Sequence, residues 1–280
     1  MTTATRSKLL TWGFRVARVL AISYLAACVG LYAFQRKLLF PAPNQASTIG
    51  AGLRIELVTT KASDGVDVHA AYAAAEGAKP TIVWLHGNGE DMGGDVNNVV
   101  DFRRHTGVGG LAVEYRGYGL SQSSGSPSET GLYADAEAAL RWLEQKGVAR
   151  DRTVVVGRSL GTGVAAEMAT RGLVGRLILV SPYTSIPDVG ALEYPMMPVR
   201  LLARDRFDTR SKAAQITAET LVIHGDQDEL IPYSMGTTLA AAIPHARLVT
   251  VSGGHHNDVL GLNHPEAMTA LLAFANDSAR

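Results

Sequence analysis

The sequence predicts an α/β domain: a mostly parallel sheet of about eight strands with helices on both faces and a small cap, preceded by an N-terminal membrane helix. Three observations lead there. Short β-branched apolar runs recur from residue 54 to residue 253, with helical patterns between the later ones; apolar strands alternating with helices mean a parallel sheet covered on both faces. The stretch 185 to 217 is too long and too polar for an ordinary connection and reads as a cap. The chain also opens with "VLAISYLAACVGLYAF", residues 19 to 34, sixteen residues without a charge.

That N-terminal run is flanked by Arg15 and Arg18 on one side and by Arg36 and Lys37 on the other. At about 1.5 Å per helical residue it reaches roughly 24 Å, a little less than the hydrocarbon core, with Arg18 able to snorkel and Trp12 to sit at an interface. It is apolar all round rather than on one stripe, which sets it apart from an amphipathic core helix. A second membrane reading takes "LAAC", residues 25 to 28, as a bacterial lipobox that would leave lipid on Cys28. Only six uncharged residues separate Arg18 from that box, so the uncleaved anchor is the preferred reading. Arg6, Lys8, Arg15 and Arg18 in front of the segment place the N-terminus in the cytoplasm by the positive-inside rule, and the main domain outside it.

Candidate strands follow the proline-bearing linker "FPAPNQAS" in order: "RIELVTT" from Arg54, "VDVHAAYA" from Val66, "TIVWLHG" from Thr81, "GLAVEYRG" from Gly110, "TVVVGRS" from Thr153, "LILVSP" from Leu177, "TLVIHGD" from Thr220 and "RLVTVSG" from Arg247. The clearest helix spans 128 to 146: Ser128 with Glu129 opens it, and Leu132, Ala136, Leu140 and Leu143 make its apolar stripe. The cap segment carries three prolines and dense charge. With 280 residues, 46% of them hydrophobic and 19% charged, the chain can bury a sizeable core. Basic and acidic residues balance at 26 each, so no global field argues for nucleic acid as a partner. The single cysteine excludes an internal disulfide framework.

Chemistry enters at "GRSLG", residues 157 to 161, between a strand and an alanine-rich helical stretch. Strand, G-x-S-x-G, helix is a nucleophile elbow, in which flanking glycines allow a turn so tight that Ser159 is pushed out at the sheet's C-terminal edge. A serine hydroxyl needs a base, and the base needs an oriented acid behind it. "HGDQDELIP", residues 224 to 232, supplies Asp228 past a strand end, with Asp226 as the rival carboxylate. Asp228 is preferred because the acid must project toward the histidine loop, while Asp226 suits fixing the turn. "GGHHNDV", residues 253 to 259, supplies two adjacent histidines, His255 and His256, and by these residues alone either can be the base. "WLHGNGE", residues 84 to 90, can aim backbone N–H groups at one point; the amides of Asn88 and Leu160 are the expected oxyanion hole, each such donor worth roughly 3 kcal/mol in a transition state. His86 reads as structural, holding its turn by a hydrogen bond.

Together "HGNGED" at 86, "EYRGYGLSQSSGSPSETGLYADAEAALRWL" from 114, "GRSLGTG" at 157, "PYTSIPD" from 182, "RDRFDT" from 204, "HGDQDELIP" at 224 and "HHND" at 255 resemble the Bem46-like group of α/β-hydrolases, which includes serine hydrolases of the ABHD13 and ABHD17 type. The similarity runs from about residue 35 to 262. It implies an α/β-hydrolase fold, Asp228 as the acid and His256 as the base, and an N-terminal anchor just before a Phe-x-Pro segment, which matches "FPAP" at 40. The chain departs from the family's loop pattern by carrying His255 where a glycine is usual. A generic Gly-Gly-His reading of the same loop nominates His255 instead.

The expected organisation is therefore an anchor and linker at 1–40 and a hydrolase domain at 41–280, with the cap inserted at about 185–217. The expected function is a serine hydrolase cleaving an ester or thioester through an acyl-enzyme on Ser159, with His256 and Asp228, and with no metal or organic cofactor required. Its partner would be a small-molecule or lipid acyl substrate at a membrane. An amide hydrolase of the aminopeptidase kind is the runner-up, and a non-catalytic binding protein on the same scaffold is the reading from a different class.

Overall fold

The computed structural model describes residues 3–43 and 54–277. Positions 44–47 of the expected linker lie outside the described residues. All eight expected strands form: β1 Glu56–Lys61, β2 Asp67–Ala73, β3 Thr81–Leu85, β4 Gly109–Glu114, β5 Thr153–Arg158, β6 Arg176–Val180, β7 Glu219–Gly225 and β8 Ala246–Val251. They join in one sheet, ordered β1-β2-β4-β3-β5-β6-β7-β8. β2 runs antiparallel to β1 and β4, and from β4 to β8 every neighbouring pair is parallel.

Central strands are apolar on both sides because both sides are covered. Val83, Leu85 and Val155 face one core with α3 Glu129–Gln145, α4 Leu160–Thr170 and α8 Tyr233–Ala242, through Leu132, Val164 and Leu239. Ile82, Trp84, Val154 and Val156 face the other with α2 Met92–Thr106 and α9 Pro265–Asn276, through Val96, Phe102 and Leu271. Side chains alternate with the strand period of two, so a fully buried strand reads as an unbroken apolar run. The helix expected at 128 to 146 is α3, with Ser128 as N-cap accepting from the Gly131 N–H at 3.1 Å.

The connections from β3 lead to β4 on one side, while the chain returns to place β5 on the other. The C-terminal ends of β3 and β5 thus form a topological switch point, where open α/β sheets hold their ligands. The segment expected as a cap is divided. α5 Ile186–Glu193 stands over the sheet's end, and α6 Val199–Leu202 packs against α5. α7 Thr209–Lys212 and the turn behind it instead belong to the body, for Phe207, Thr209, Ala213 and Ile216 are buried.

α1 spans Thr3–Leu39 as one continuous helix, and its portion Thr11–Leu39 is long and apolar enough to cross a membrane. It ends at Phe40, whose buried ring packs edge-on to Phe207 at 6.3 Å between centroids.

Candidate active site

Ser159 sits between β5 and α4 with φ 49° and ψ −117°, a backbone region costly for any residue but glycine and typical of sites where surrounding packing enforces it. The enforcement is visible in the flanking glycines. A Cβ on Gly157 would stand 2.4 Å from the Gly161 carbonyl oxygen, and one on Gly161 would stand 2.1 Å from that of Leu85. The Ser159 N–H donates to the Val180 carbonyl at 3.0 Å, fixing the elbow to β6. Ser159 is also the residue before the first turn of α4, whose leading N–H groups have no acceptor inside the helix and favour negative charge.

The structure brings Ser159, His256 and Asp228 together from three strand ends. His256 Nε2 lies 3.0 Å from Ser159 Oγ and its Nδ1 lies 2.8 Å from Asp228 Oδ2. Burial pushes the Asp228 carboxyl up, but hydrogen bonds from His224, His256 and the Ile231 N–H outweigh it and hold the group well below the usual carboxylate range. A carboxylate accepts only, so Nδ1 of His256 carries the proton and Nε2 offers its lone pair to the Ser159 hydroxyl. His255 points elsewhere: it is exposed, and its Nδ1 lies 3.0 Å from Glu229 Oε2. The His255 N–H donates to Asp258 Oδ1 at 2.7 Å, which holds the loop in the turn that presents the next residue inward. Asp226 accepts from the Gly253 N–H at 2.8 Å and so ties the acid's loop to the histidine's.

Asn88 and Leu160 line the same cavity of about 370 Å³ as Ser159 and His256. The adjacent Gly87 N–H is already engaged by Glu90 Oε2 at 2.8 Å. His86 is buried away from the cavity lining, its Nδ1 2.8 Å from the Gly87 carbonyl and its Nε2 3.3 Å from Glu114. Burial opposes charge on this imidazole, yet the Glu114 carboxylate prevails and raises its pKa. Glu114 in turn accepts the Met92 and Leu120 N–H groups at 3.2 and 3.3 Å.

A family model described as "Alpha/beta hydrolase family" matches residues 82–218. An uncharacterized Mycobacterium tuberculosis protein, Rv2307c, is 32% identical over 273 residues, which cover 94% of this chain and 95% of that one. The chain belongs to the α/β-hydrolase family. The α/β-hydrolase domain-containing protein 17C of Xenopus tropicalis is 32% identical over 190 residues, 65% of this hydrolase and 58% of that protein. Among solved structures, the Pyrococcus furiosus esterase Pf2001 superposes with a TM-score of 0.67 at 17% identity, covering 84% of this chain and 97% of its own. The Rhodococcus esterase RhEst1 does so at 0.59 and 16%, over 80% and 99%. At such identities the likeness speaks for the fold.

Two groups of this hydrolase's site carry no clear mark in the sequence. Arg158 pairs with Glu90 and donates from Nη2 to Asn257 Oδ1 at 3.3 Å, so one guanidinium joins the elbow, the turn after β3 and the histidine loop. His224 is wholly buried behind Asp228, with Nε2 3.0 Å from the Ile231 carbonyl and 3.2 Å from Asp228 Oδ2. A carbonyl accepts only, so that nitrogen bears the proton and can share it with the carboxylate. The pairing of Arg158 spans up to 99 residues of sequence, whereas His224 meets Asp228 and Ile231 within its own loop and is set by burial at the end of β7.

Proposed function

We propose that this hydrolase cleaves acyl esters and thioesters with Ser159 as nucleophile, His256 as base and then acid, and Asp228 as the group that orients it. The observation that carries the reading is the hydrogen-bonded series Ser159 to His256 to Asp228, at 3.0 and 2.8 Å, at the sheet's switch point. As Ser159 Oγ bonds to the substrate carbonyl carbon, its proton passes to His256 Nε2. The former carbonyl oxygen becomes an oxyanion facing the Leu160 and Asn88 N–H groups. Collapse breaks the bond to the leaving oxygen or sulfur, which takes the proton from Nε2. Water then attacks the acyl-enzyme, gives its proton to His256, and the acid leaves as Ser159 regains its hydrogen. The ionised Asp228 balances the imidazolium formed in each half.

In this reading α1 is an uncleaved anchor, Arg15 and Arg18 lie on the cytoplasmic side, and the hydrolase domain lies across the membrane. Cys28 needs no lipid in it; its Sγ lies 3.8 Å from Met197 Sδ. A reporter enzyme fused at the C-terminus and active only in the cytoplasm would reverse the orientation.

The test of the chemistry is labelling with a fluorophosphonate, paired with p-nitrophenyl acetate turnover. Wild type is expected to label, Ser159→Ala to lose labelling, and His256→Ala to lose turnover while His255→Ala keeps it. Folded wild type that fails to label defeats the proposal. An inactive His255→Ala beside an active His256→Ala would move the base to the neighbouring residue.

A further inference from the structure

α1 does not merely lead into the domain; from Tyr24 to Leu39 one side of it lies against the cap. The Tyr24 hydroxyl donates to the Met196 carbonyl at 3.1 Å. The Gln35 amide closes on two backbone groups, donating to the Leu202 carbonyl at 3.3 Å and accepting the Arg204 N–H at 2.7 Å. Arg36 holds Asp205 with two bonds, 2.7 and 3.1 Å, and Asp205 is nearly buried and also accepts the Glu129 N–H at 2.9 Å. The helix is thereby fixed to the cap and to the start of α3 at once.

Between helix and cap lies a cavity of about 320 Å³ with apolar walls, among them Leu31 and Leu38 of α1 and Val189, Val199 and Leu202 of the cap. It adjoins the Ser159 cavity, for Leu39, Asn88, Ile186, Val189 and Glu193 line both. The cap's outer surface adjoining it is apolar too: Met196 is 79% and Leu201 82% exposed, with Leu192 and Tyr194 beside them. Exposed apolar groups this close together mark contact with something other than water. Their depth points the same way. Tyr24 precedes Arg36 by twelve residues, about 18 Å along the helix, and falls inside the uncharged run. With α1 spanning a bilayer, the cap residues that touch Tyr24 sit at the level of lipid chains.

We propose that the cavity between α1 and the cap is the acyl-chain site: it receives the long hydrocarbon chain of a substrate held in the bilayer and delivers the carbonyl to Ser159. The proposal rests on the serine-hydrolase reading above and adds which acyl groups that site selects. The anchor helix is then a wall of the substrate site as well as a tether. At about 320 Å³ the cavity has room for several methylenes beyond the carbons beside Ser159. Burying each methylene against apolar walls is favourable, and chains too short to reach the cavity forgo it.

The experiment uses the full chain in lipid nanodiscs, with p-nitrophenyl butyrate and p-nitrophenyl laurate as substrates. The quantity read is the laurate-to-butyrate ratio of kcat/KM, in which each variant is its own reference for folding and in which partition into lipid is common to all proteins. Wild type is expected to favour laurate by tenfold or more. Leu31→Trp, which fills the cavity from the helix, and Ala203→Trp, which fills it from the cap, are each expected to lower the ratio at least tenfold. Leu31→Ala, which enlarges it, is expected to raise turnover of the palmitate ester relative to laurate. A ratio within twofold of wild type in both tryptophan variants, or a wild type that prefers butyrate, overturns the cavity's role and leaves the serine-hydrolase reading standing. A folded wild type that hydrolyses neither ester and takes up no fluorophosphonate overturns both.

Discussion

Replacing Gly161 by alanine tests how the elbow is held. A Cβ there would lie 2.1 Å from the Leu85 carbonyl oxygen and 2.7 Å from that of His86, against the 3.4 Å at which ordinary contact begins. The shortfall is about 1.3 Å and cannot be absorbed by a side-chain rotation, because both obstacles are backbone at the end of a central strand. α4 must retreat, carrying the Leu160 N–H and the Ser159 side chain with it. Misplacement of about 1 Å costs on the order of 100-fold in rate, and overpacking of this kind costs about 1–3 kcal/mol of stability. At roughly 2–4 °C per kcal/mol for a chain of this size, the melting temperature should fall by several degrees. Steady-state turnover of p-nitrophenyl acetate and a thermal melt read both quantities. Gly94→Ala, the same change in α2 where nothing lies within 4 Å, is the control and should stabilise by up to about 1 kcal/mol. A Gly161→Ala protein with kcat/KM within threefold of wild type and an unchanged melt would refute the packing account of the elbow.

Asp228→Asn removes the charge that keeps the His256 proton on Nδ1, so kcat should drop roughly 10³ to 10⁴-fold with little change in KM, as measured by ester turnover under saturating substrate. His255 should act through pH: Glu229 raises its pKa above the ordinary 6.5, while local hydrogen bonds, including one from His255, lower that of Glu229 below 4.5. A raised histidine pKa stabilises the fold below the unfolded value and loses that contribution as pH rises through the folded value. The melting difference between wild type and His255→Gln should accordingly be largest between the two pKa values, near pH 5 to 6, and vanish at alkaline pH. Asp135→Ala leaves Arg116 buried with, among the described residues, only the half-exposed Asp64 as an acidic partner and should cost about 3 kcal/mol in a denaturant titration.

Much of the architecture could be read from local pattern. β-branched runs bounded by glycine marked the strands, since a strand covered on both faces needs no alternation to betray it, and Ser128 marked the start of α3. The division of the cap was hidden because Ala213 and Ile216 are too few to signal that their stretch packs on the body. Within the site, Ser159 was legible from the glycines that make its turn possible. Choosing between His255 and His256 from the residues alone was not possible, as one loop carries both and their directions depend on the Asp258 and Asp226 bonds that set its backbone. The sheet order pairs Arg158 with Glu90 across 68 residues of sequence, and no local pattern announces that; His224 stands only four residues before Asp228, but its place behind the acid depends on how α8 packs against the end of β7.

Asp205 ties the end of α1 to the body. With α1 in a bilayer, the serine stands at a set height and heading relative to the lipid. For a substrate held in that bilayer, as proposed above, encounters then become two-dimensional. Turnover should follow the number of substrate molecules per unit of membrane area, so diluting the lipid with inert lipid would slow this enzyme while diluting the suspension with buffer would not.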